Sequence, residues 1–184
     1  METVFAKDSP LIPVEKASET DIPCTAGLYC ILAGSGSEDF LSPFADLLKQ
    51  RSNPLLYIGK AGDRGLRKRL LNEELRGIGA GTFFRSLGVV LGHAQQVKPL
   101  SPASRNFRFD NAPEIVKWCR RNLWVAWKPT PVESVEEEEK ALIKEHRPLF
   151  NLRDNPKRSA ELSRLRAACL RLAHGRYRNG GVSG

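Results

Sequence analysis

The stretch Gly27-Leu-Tyr-Cys-Ile-Leu-Ala33 is apolar, with aromatic and β-branched residues, and the turn residues Gly34-Ser-Gly-Ser37 follow it directly. This pattern predicts a short, buried β-strand. Two further strands are predicted in Pro54-Leu-Leu-Tyr-Ile-Gly-Lys60 and in Leu123-Trp-Val-Ala-Trp127. The connection between the first two strands is short for a parallel crossover, so we expect a small mixed or antiparallel sheet. With helices between the strands, the sequence indicates an α+β fold.

Helical segments are predicted from the spacing of apolar residues and from capping signals. They cover residues 42–50, 66–76, 82–91, 112–121, 132–145 and 159–172. Residues 95–106 have the composition of a loop. The last helix is amphipathic, so one of its faces is expected to pack on the domain.

The chain of 184 residues has the length of one domain with short extensions. Residues 1–23 show no period and mix proline with charged and hydroxyl side chains, which predicts an N-terminal arm. Residues 24–155 contain all the predicted strands and form the expected domain. Residues 156–184 are expected to form a basic C-terminal helix and a flexible tail.

The net charge of +8 is concentrated at the C-terminal end. Residues 152–184 contain eight basic and two acidic side chains, so this segment alone carries +6. A concentrated basic segment is typical of proteins that bind a polyanion, most often nucleic acid. A solvated helix face that keeps the protein soluble is the alternative, and charge alone leaves both interpretations open.

Composition disfavours several classes of protein. No apolar run approaches the roughly 20 residues that cross a bilayer, and the N-terminal segment lacks the pattern of a secretory signal. The four cysteines form no CxxC pair and the three histidines are scattered, which disfavours a structural zinc site and a disulfide scaffold. We therefore expect a cytoplasmic protein in a reducing compartment, without a membrane partner.

A set of polar residues falls near the ends of the predicted elements. It consists of Tyr29, Tyr57, Lys60, Arg67 or Arg69, Glu139 and Asn151. Such side chains suit the hydrolysis of a phosphodiester. A carboxylate can hold a hard divalent cation, while the cation and the basic groups can stabilise the charged transition state. A phenol in a cationic site can act as a general base on water.

The same residues stand in motifs that resemble the GIY-YIG nuclease superfamily over roughly residues 25–155. The motifs are Gly27-Leu28-Tyr29, Tyr57-Ile58-Gly59-Lys60, the basic helix Gly65-Leu-Arg-Lys-Arg-Leu70, and the run Glu139-Lys-Ala-Leu-Ile-Lys-Glu-His-Arg-Pro-Leu-Phe-Asn151. The resemblance implies a three-stranded antiparallel sheet flanked by helices. Helical insertions and the basic C-terminal helix would be additions to that module.

The resemblance also implies roles for individual residues. Tyr29 and Tyr57 would face each other, and one of them would activate the attacking water. Lys60 and the helix arginine would contact the scissile phosphate, and Glu139 would be the sole protein ligand of a Mg²⁺ or Mn²⁺ ion. The residues implied to support the site are Gly59, Arg67 and Asn151.

The sequence departs from the simplest pattern of this family in three places. The gap between the two tyrosine motifs holds an additional helical segment at 39–50, and the restriction-enzyme branch is similar in this respect. The identity of the catalytic arginine is open, because aligning the helix leucines favours Arg69, which we prefer, whereas counting from Lys60 favours Arg67. Many members have His or Tyr one helical turn after the arginine, where this chain has Glu73.

The resemblance implies a metal-dependent endonuclease that hydrolyses phosphodiester bonds in DNA. The basic residues expected to contact the nucleic acid are Arg64, Lys68, Arg158, Arg164 and Arg171. A protein partner or a homodimer would supply specificity. Two other functions stay open, namely a nucleic-acid-binding module of the same fold without turnover and a protein–protein adaptor.

Overall fold

The structure of the chain, a computed structural model, describes residues 4, 5, 9, 11–51, 53–101, 103, 104 and 106–180, and only the backbone of 176–180. Its strands are β1 (Leu11–Pro13), β2 (Gly27–Ala33), β3 (Leu55–Ala61), β4 (Val97–Pro99), β5 (Phe107–Phe109) and β6 (Leu123–Pro129). Within the described residues the central sheet has four strands in the order β1-β6-β2-β3, and every neighbouring pair is antiparallel.

The predicted α+β class with an antiparallel sheet is confirmed. The three predicted strands form β2, β6 and β3, and β2 lies between the other two. Hydrophobic patterning was sufficient for these strands because β2 is buried along its whole length and β3 almost so. The sheet ends at β3, and the outer edge of this strand forms hydrogen bonds with residues 149–151, which follow α4.

A fourth strand, β1, comes from the segment expected to be an N-terminal arm. It pairs with β6, with Leu11 opposite Ala126. Beyond it, the side chains of Val14 and Ile22 are buried in the core. The described part of 11–23 is therefore integrated into the domain, which short, non-periodic segments do not reveal by sequence. The expected boundary at residue 24 stays a prediction.

Besides short 3-10 turns at Val14–Lys16, Ser37–Asp39 and His93–Gln95, five α-helices and one π-helix of the described residues surround this sheet. They are α1 (Phe44–Lys49), a π-helix (Arg67–Leu75), α2 (Thr82–Val90), α3 (Ala112–Asn122), α4 (Val132–His146) and α5 (Ala160–Gly180). All six match predicted helical segments to within a few residues, except that α5 continues further towards the C-terminus. No helix in the described part of the chain is long and apolar enough to cross a membrane.

The loop expected at residues 95–106 is mostly the connection of a small β-hairpin, with β4 inside the expected loop and β5 directly after it. Val97 pairs with Phe109, and the side chains of Val97, Phe107 and Phe109 are buried. Three-residue strands carry too little periodicity to be recognised in the sequence. The hairpin packs against α5 and α2, so it connects the C-terminal helix to the domain.

The two faces of the sheet pack into different cores, because successive side chains of a strand point to opposite sides. Cys30 and Leu32 belong to a smaller core that Ile143 of α4 closes. Tyr29 and Tyr57 belong to the larger core, together with residues of the π-helix, α2 and α5. The two motif tyrosines therefore share one face of the sheet.

Candidate active site

The two motif tyrosines lie on the neighbouring strands β2 and β3. Their ring centroids are 6.2 Å apart, and the strand register places Tyr29 opposite Gly59. A Cβ atom at position 59 would come within 2.4 Å of the Tyr29 ring and hydroxyl. Glycine is therefore required at position 59 so that the Tyr29 ring can lie against the β3 backbone.

A cavity of about 450 Å³ opens beside β3. Its lining includes Tyr57, Lys60, Arg69, Glu139 and Asn151. Elements distant in sequence thus bring five of the residues expected in the site around one volume. The size suits a small polar group such as a phosphodiester, and the cavity remains open to solvent.

The two tyrosines differ in their access to this cavity. The Tyr57 side chain lines it, whereas Tyr29 is fully buried and does not. The Tyr29 hydroxyl donates a hydrogen bond to Glu74 at 3.2 Å. Burial and the Glu74 carboxylate raise the pKa of both phenols above the usual value, and the Arg69 guanidinium opposes this effect on both.

Lys60 and Glu139 form an ion pair at the cavity wall. Lys60 Nζ lies 3.2 Å from Glu139 Oε2 and 3.4 Å from Glu136 Oε2. The Glu139 side chain is 14% exposed. Burial raises the pKa of Glu139 above the usual glutamate value, although the Lys60 ammonium lowers it. The neighbouring Glu138 points elsewhere and pairs with Lys128 at 3.0 Å.

The structure separates the two candidate arginines. Arg69 lines the cavity. Arg67 points the other way, and its Nε donates a hydrogen bond to the Ile22 carbonyl at 3.1 Å. Arg67 thus holds the N-terminal segment against the π-helix, and Arg69 is the arginine that a phosphate in the cavity would meet.

The π-helix explains how Arg69 is held. Its i→i+5 hydrogen bonds widen the turn, so the residues at i+4 and i+5 both lie above residue i. Glu73 and Glu74 occupy these two positions, and both pair with Arg69, the latter at 3.0 Å. Single π-turns are frequent at functional sites. Sequence periodicity does not distinguish such a helix from an α-helix.

Glu73, at the position where the resemblance leads one to expect His or Tyr, is 6% exposed. Its carboxylate pairs with Arg69 and, at 2.8 Å, with Arg64. At this position the chain therefore has a carboxylate that is paired with two guanidiniums.

Glu74 is a site residue that the sequence analysis missed. Its side chain is fully buried, and it accepts hydrogen bonds from the backbone N–H groups of Phe83 and Phe84 at 2.8 and 3.3 Å. It thus caps the N-terminus of α2 while it holds Tyr29 and Arg69. Burial raises the pKa of Glu74, although Arg69 and the backbone donors lower it. The sequence contains one signal for this role, because Glu74 stands just before the glycine-rich residues 77–81 and the start of α2.

Arg166 of α5 is a second residue that the sequence analysis missed. It lines the cavity together with Tyr57 and Arg69. The expected nucleic-acid contacts are all exposed, at Arg64, Lys68, Arg158, Arg164 and Arg171. Of these, only Arg64 lines the cavity, and Arg164 is paired with Glu161 at 2.8 Å.

Asn151 joins the end of the acidic-helix motif to the sheet edge. Its amide oxygen accepts the Ile58 N–H at 2.9 Å, and its amide nitrogen donates to the Ile58 carbonyl at 2.8 Å. Asn155 donates in turn to the Asn151 carbonyl at 3.0 Å. The supporting role expected for Asn151 thus has a geometric counterpart at the edge of β3.

Replacing Asn151 with alanine is expected to lower the free energy of unfolding by about 2–6 kcal/mol. Two buried backbone groups of Ile58 lose their partner, and each such loss costs about 1–3 kcal/mol. Urea denaturation of the variant measures the effect, with the exposed Gln50→Ala as control. A change below about 0.5 kcal/mol, the range of neutral surface substitutions, would contradict this account.

Comparison with protein families matches the GIY-YIG catalytic domain over residues 27–168. The chain belongs to the GIY-YIG family. Searches of curated proteins and of solved structures found no match. The family motifs of this GIY-YIG protein are Gly27-Leu28-Tyr29 and Tyr57-Ile58-Gly59, on β2 and β3. The family match extends past residue 155 into α5 and so includes Arg166.

Proposed function

We propose that this GIY-YIG protein is a metal-dependent endonuclease that hydrolyses phosphodiester bonds in DNA. Family membership gives a nuclease-type fold and implies a nucleic-acid substrate. The observation that carries the proposal is the convergence of Tyr57, Lys60, Arg69 and Glu139 on one open cavity.

Tyr57 is the proposed general base. Tyr57 lines the cavity and is 6% exposed, whereas Tyr29 does not line it and is fully buried. Tyr29 is enclosed and its hydroxyl is already engaged with Glu74, so its proposed role is to position the π-helix residues. In the reaction, Tyr57 takes a proton from the water that attacks phosphorus, and the leaving oxygen departs in line.

Lys60 and Arg69 are the proposed phosphate ligands. Both line the cavity and carry positive charge beside Tyr57. Charged donors held in place before the reaction stabilise the additional negative charge of the transition state. The carboxylates of Glu73 and Glu74 keep the Arg69 guanidinium in a fixed orientation.

Glu139 is the proposed ligand of Mg²⁺ or Mn²⁺. Among the described residues, no group of three or more His, Cys, Asp or Glu is placed to hold a metal ion. A single carboxylate in a solvent-open cavity suits Mg²⁺, which is commonly held by one or two carboxylates together with water and substrate phosphates. A bound divalent ion would polarise the phosphate and stabilise the leaving oxygen. Lys60, which now pairs with Glu139, would be free to contact the phosphate.

The exposed basic side chains are proposed to bind DNA phosphates, and they are Arg64, Lys68, Arg158, Arg164 and Arg171. Contacts to phosphates fix the position of the DNA but carry no sequence information. A protein partner or a second copy of the chain would then supply specificity. A cytoplasmic location agrees with four free cysteines, three of them buried.

The rate of cleavage is expected to rise with pH, by close to tenfold per unit between about pH 6 and 9. The reactive form of Tyr57 is the phenolate, and the raised pKa keeps its fraction small over this range. Burial, Glu74 and Glu139 raise this pKa, and Arg69 and Arg166 lower it. Single-turnover rates in Mg²⁺ measure the profile. A plateau already near neutral pH would indicate another base.

A binding module without turnover is the second candidate function. The favouring observation is that Glu73 pairs directly with Arg69. A carboxylate at this position competes with a phosphate for the same guanidinium. In this case the protein would bind nucleic acid at the cavity but would not hydrolyse it.

Cleavage of supercoiled plasmid and of a labelled branched duplex tests the proposal. The purified protein is assayed with Mg²⁺, with Mn²⁺ and with EDTA, beside an RNA of the same sequence. We expect metal-dependent nicking of DNA. Retention of DNA without cleavage of any substrate would favour the binding module, and Glu73→His would then be the next variant to assay.

A further inference from the structure

Arg166 is an arginine with little to neutralise it. It lies on α5, is partly buried, and its Nη1 donates a hydrogen bond to Ser86 Oγ at 3.3 Å. In the part of the chain that the structure describes, no carboxylate forms an ion pair with it. Burial lowers the pKa of Arg166, which marks the cost of holding this cation away from water.

A second guanidinium lies close to Arg166. Arg85 is 8% exposed and bonds to neutral groups, among them the carbonyls of Gly81 and Ala80 at 3.1 Å. Burial and the neighbouring Arg166 lower the pKa of Arg85 to about 10. The buried Arg85 and the partly buried Arg166 repel each other, and neither forms an ion pair with a carboxylate, although the Glu74 carboxylate opposes the lowering of both pKa values. The pair therefore leaves a surplus of positive charge.

This surplus faces the candidate active site. Arg166 borders the same cavity as Tyr57 and Arg69. Among the described residues, six basic and three acidic side chains line the cavity. An anion in the cavity can accept two parallel hydrogen bonds from the planar Arg166 guanidinium, a geometry that matches a phosphate.

We propose that Arg166 binds a second backbone phosphate of the nucleic acid, beside the phosphate held by Lys60 and Arg69. The C-terminal helix thereby completes the active site. This inference rests on the proposed nuclease function, since it assigns a further substrate contact to the same cavity. A purely structural role, in which Arg166 only anchors α5 to α2 through Ser86, is the alternative.

DNA affinity measured over a series of KCl concentrations tests the inference. Binding of a labelled duplex in EDTA is compared for the wild type, Arg166→Gln and Arg120→Gln. Arg120 is an exposed arginine on α3 that does not line the cavity. Arg166→Gln is expected to weaken binding roughly tenfold. The slope of log affinity against log salt should become shallower by about one, the value for one lost phosphate contact. Arg120→Gln should change neither quantity.

Two further variants separate the phosphate contact from anchoring. Ser86→Ala removes the hydrogen bond of Arg166 but keeps its charge, so it should retain the wild-type salt slope. Arg166→Lys keeps a cation in the buried position if Arg166→Gln does not fold. It should retain the slope but bind several-fold more weakly, because it loses the two-pronged contact.

The outcomes distinguish this inference from the proposed function. A wild type that binds no DNA overturns both. A wild type that binds and cuts DNA, with Arg166→Gln equal to it in affinity and slope, overturns only the role of Arg166. A fall in melting temperature shared by Arg166→Gln and Ser86→Ala, with unchanged DNA binding, would show that Arg166 is an anchor.

Discussion

Replacing Glu139 with alanine is expected to lower the rate of DNA cleavage at least ~100-fold, as the loss of one key electrostatic group does in other active sites. Glu139 is the carboxylate of the acidic run that reaches the cavity beside Lys60. The Glu139→Ala variant lacks the carboxylate that is proposed to hold the divalent ion. Single-turnover cleavage in saturating Mg²⁺ measures the effect.

Glu138→Ala is the matched control for this prediction. Glu138 is adjacent in sequence, but its carboxylate pairs with Lys128 of β6 and does not line the cavity. Cleavage should stay within about twofold of the wild type, because a partly exposed ion pair contributes little. A loss of activity in Glu138→Ala with retention in Glu139→Ala would show that the assignment is shifted by one residue.

Replacing Tyr57 with phenylalanine is expected to lower the cleavage rate between ~100- and ~10,000-fold, the usual range for a general base. The ring keeps its place in the core, where it packs against Tyr29 and Phe83. Only the hydroxyl group, the proposed base, is lost. DNA affinity and the melting temperature should therefore remain close to those of the wild type.

Tyr29→Phe removes the same atom from the other motif tyrosine. It deletes the hydrogen bond to Glu74, at a cost of about 1–2 kcal/mol of stability, and should reduce the rate less than tenfold. The Arg69 guanidinium and two backbone N–H groups still hold Glu74. A greater loss of rate in Tyr29→Phe than in Tyr57→Phe would reverse the assignment of the base.

The sequence predicted the central sheet well because its strands are strongly apolar and bounded by turn residues. β2 was predicted with its observed bounds. The same reasoning missed β1, β4 and β5, which have three residues each. Tertiary packing determines whether such short strands form, and the local sequence pattern carries no comparable signal for them.

Within the site, the predictable residues were those in contiguous motifs. Tyr57, Lys60 and Glu139 were predicted and do surround one cavity. Glu74 and Arg166 were not predicted, because their roles depend on the π-helix turn and on where α5 docks. A run of arginines in an amphipathic helix looks uniform in sequence, and only packing reveals that one of them points into the cavity.

The most direct measurement is single-turnover cleavage of one labelled duplex by the wild type, Glu139→Ala and Tyr57→Phe. The protein concentration is chosen so that filter binding shows all of the DNA to be bound. We predict that all three proteins bind the duplex and that only the wild type cuts it, with Mg²⁺ and not with EDTA. Two results would contradict the proposed hydrolysis at this cavity. One is a wild type that binds the DNA but cuts it neither with Mg²⁺ nor with Mn²⁺, and the other is variants that cut as fast as the wild type.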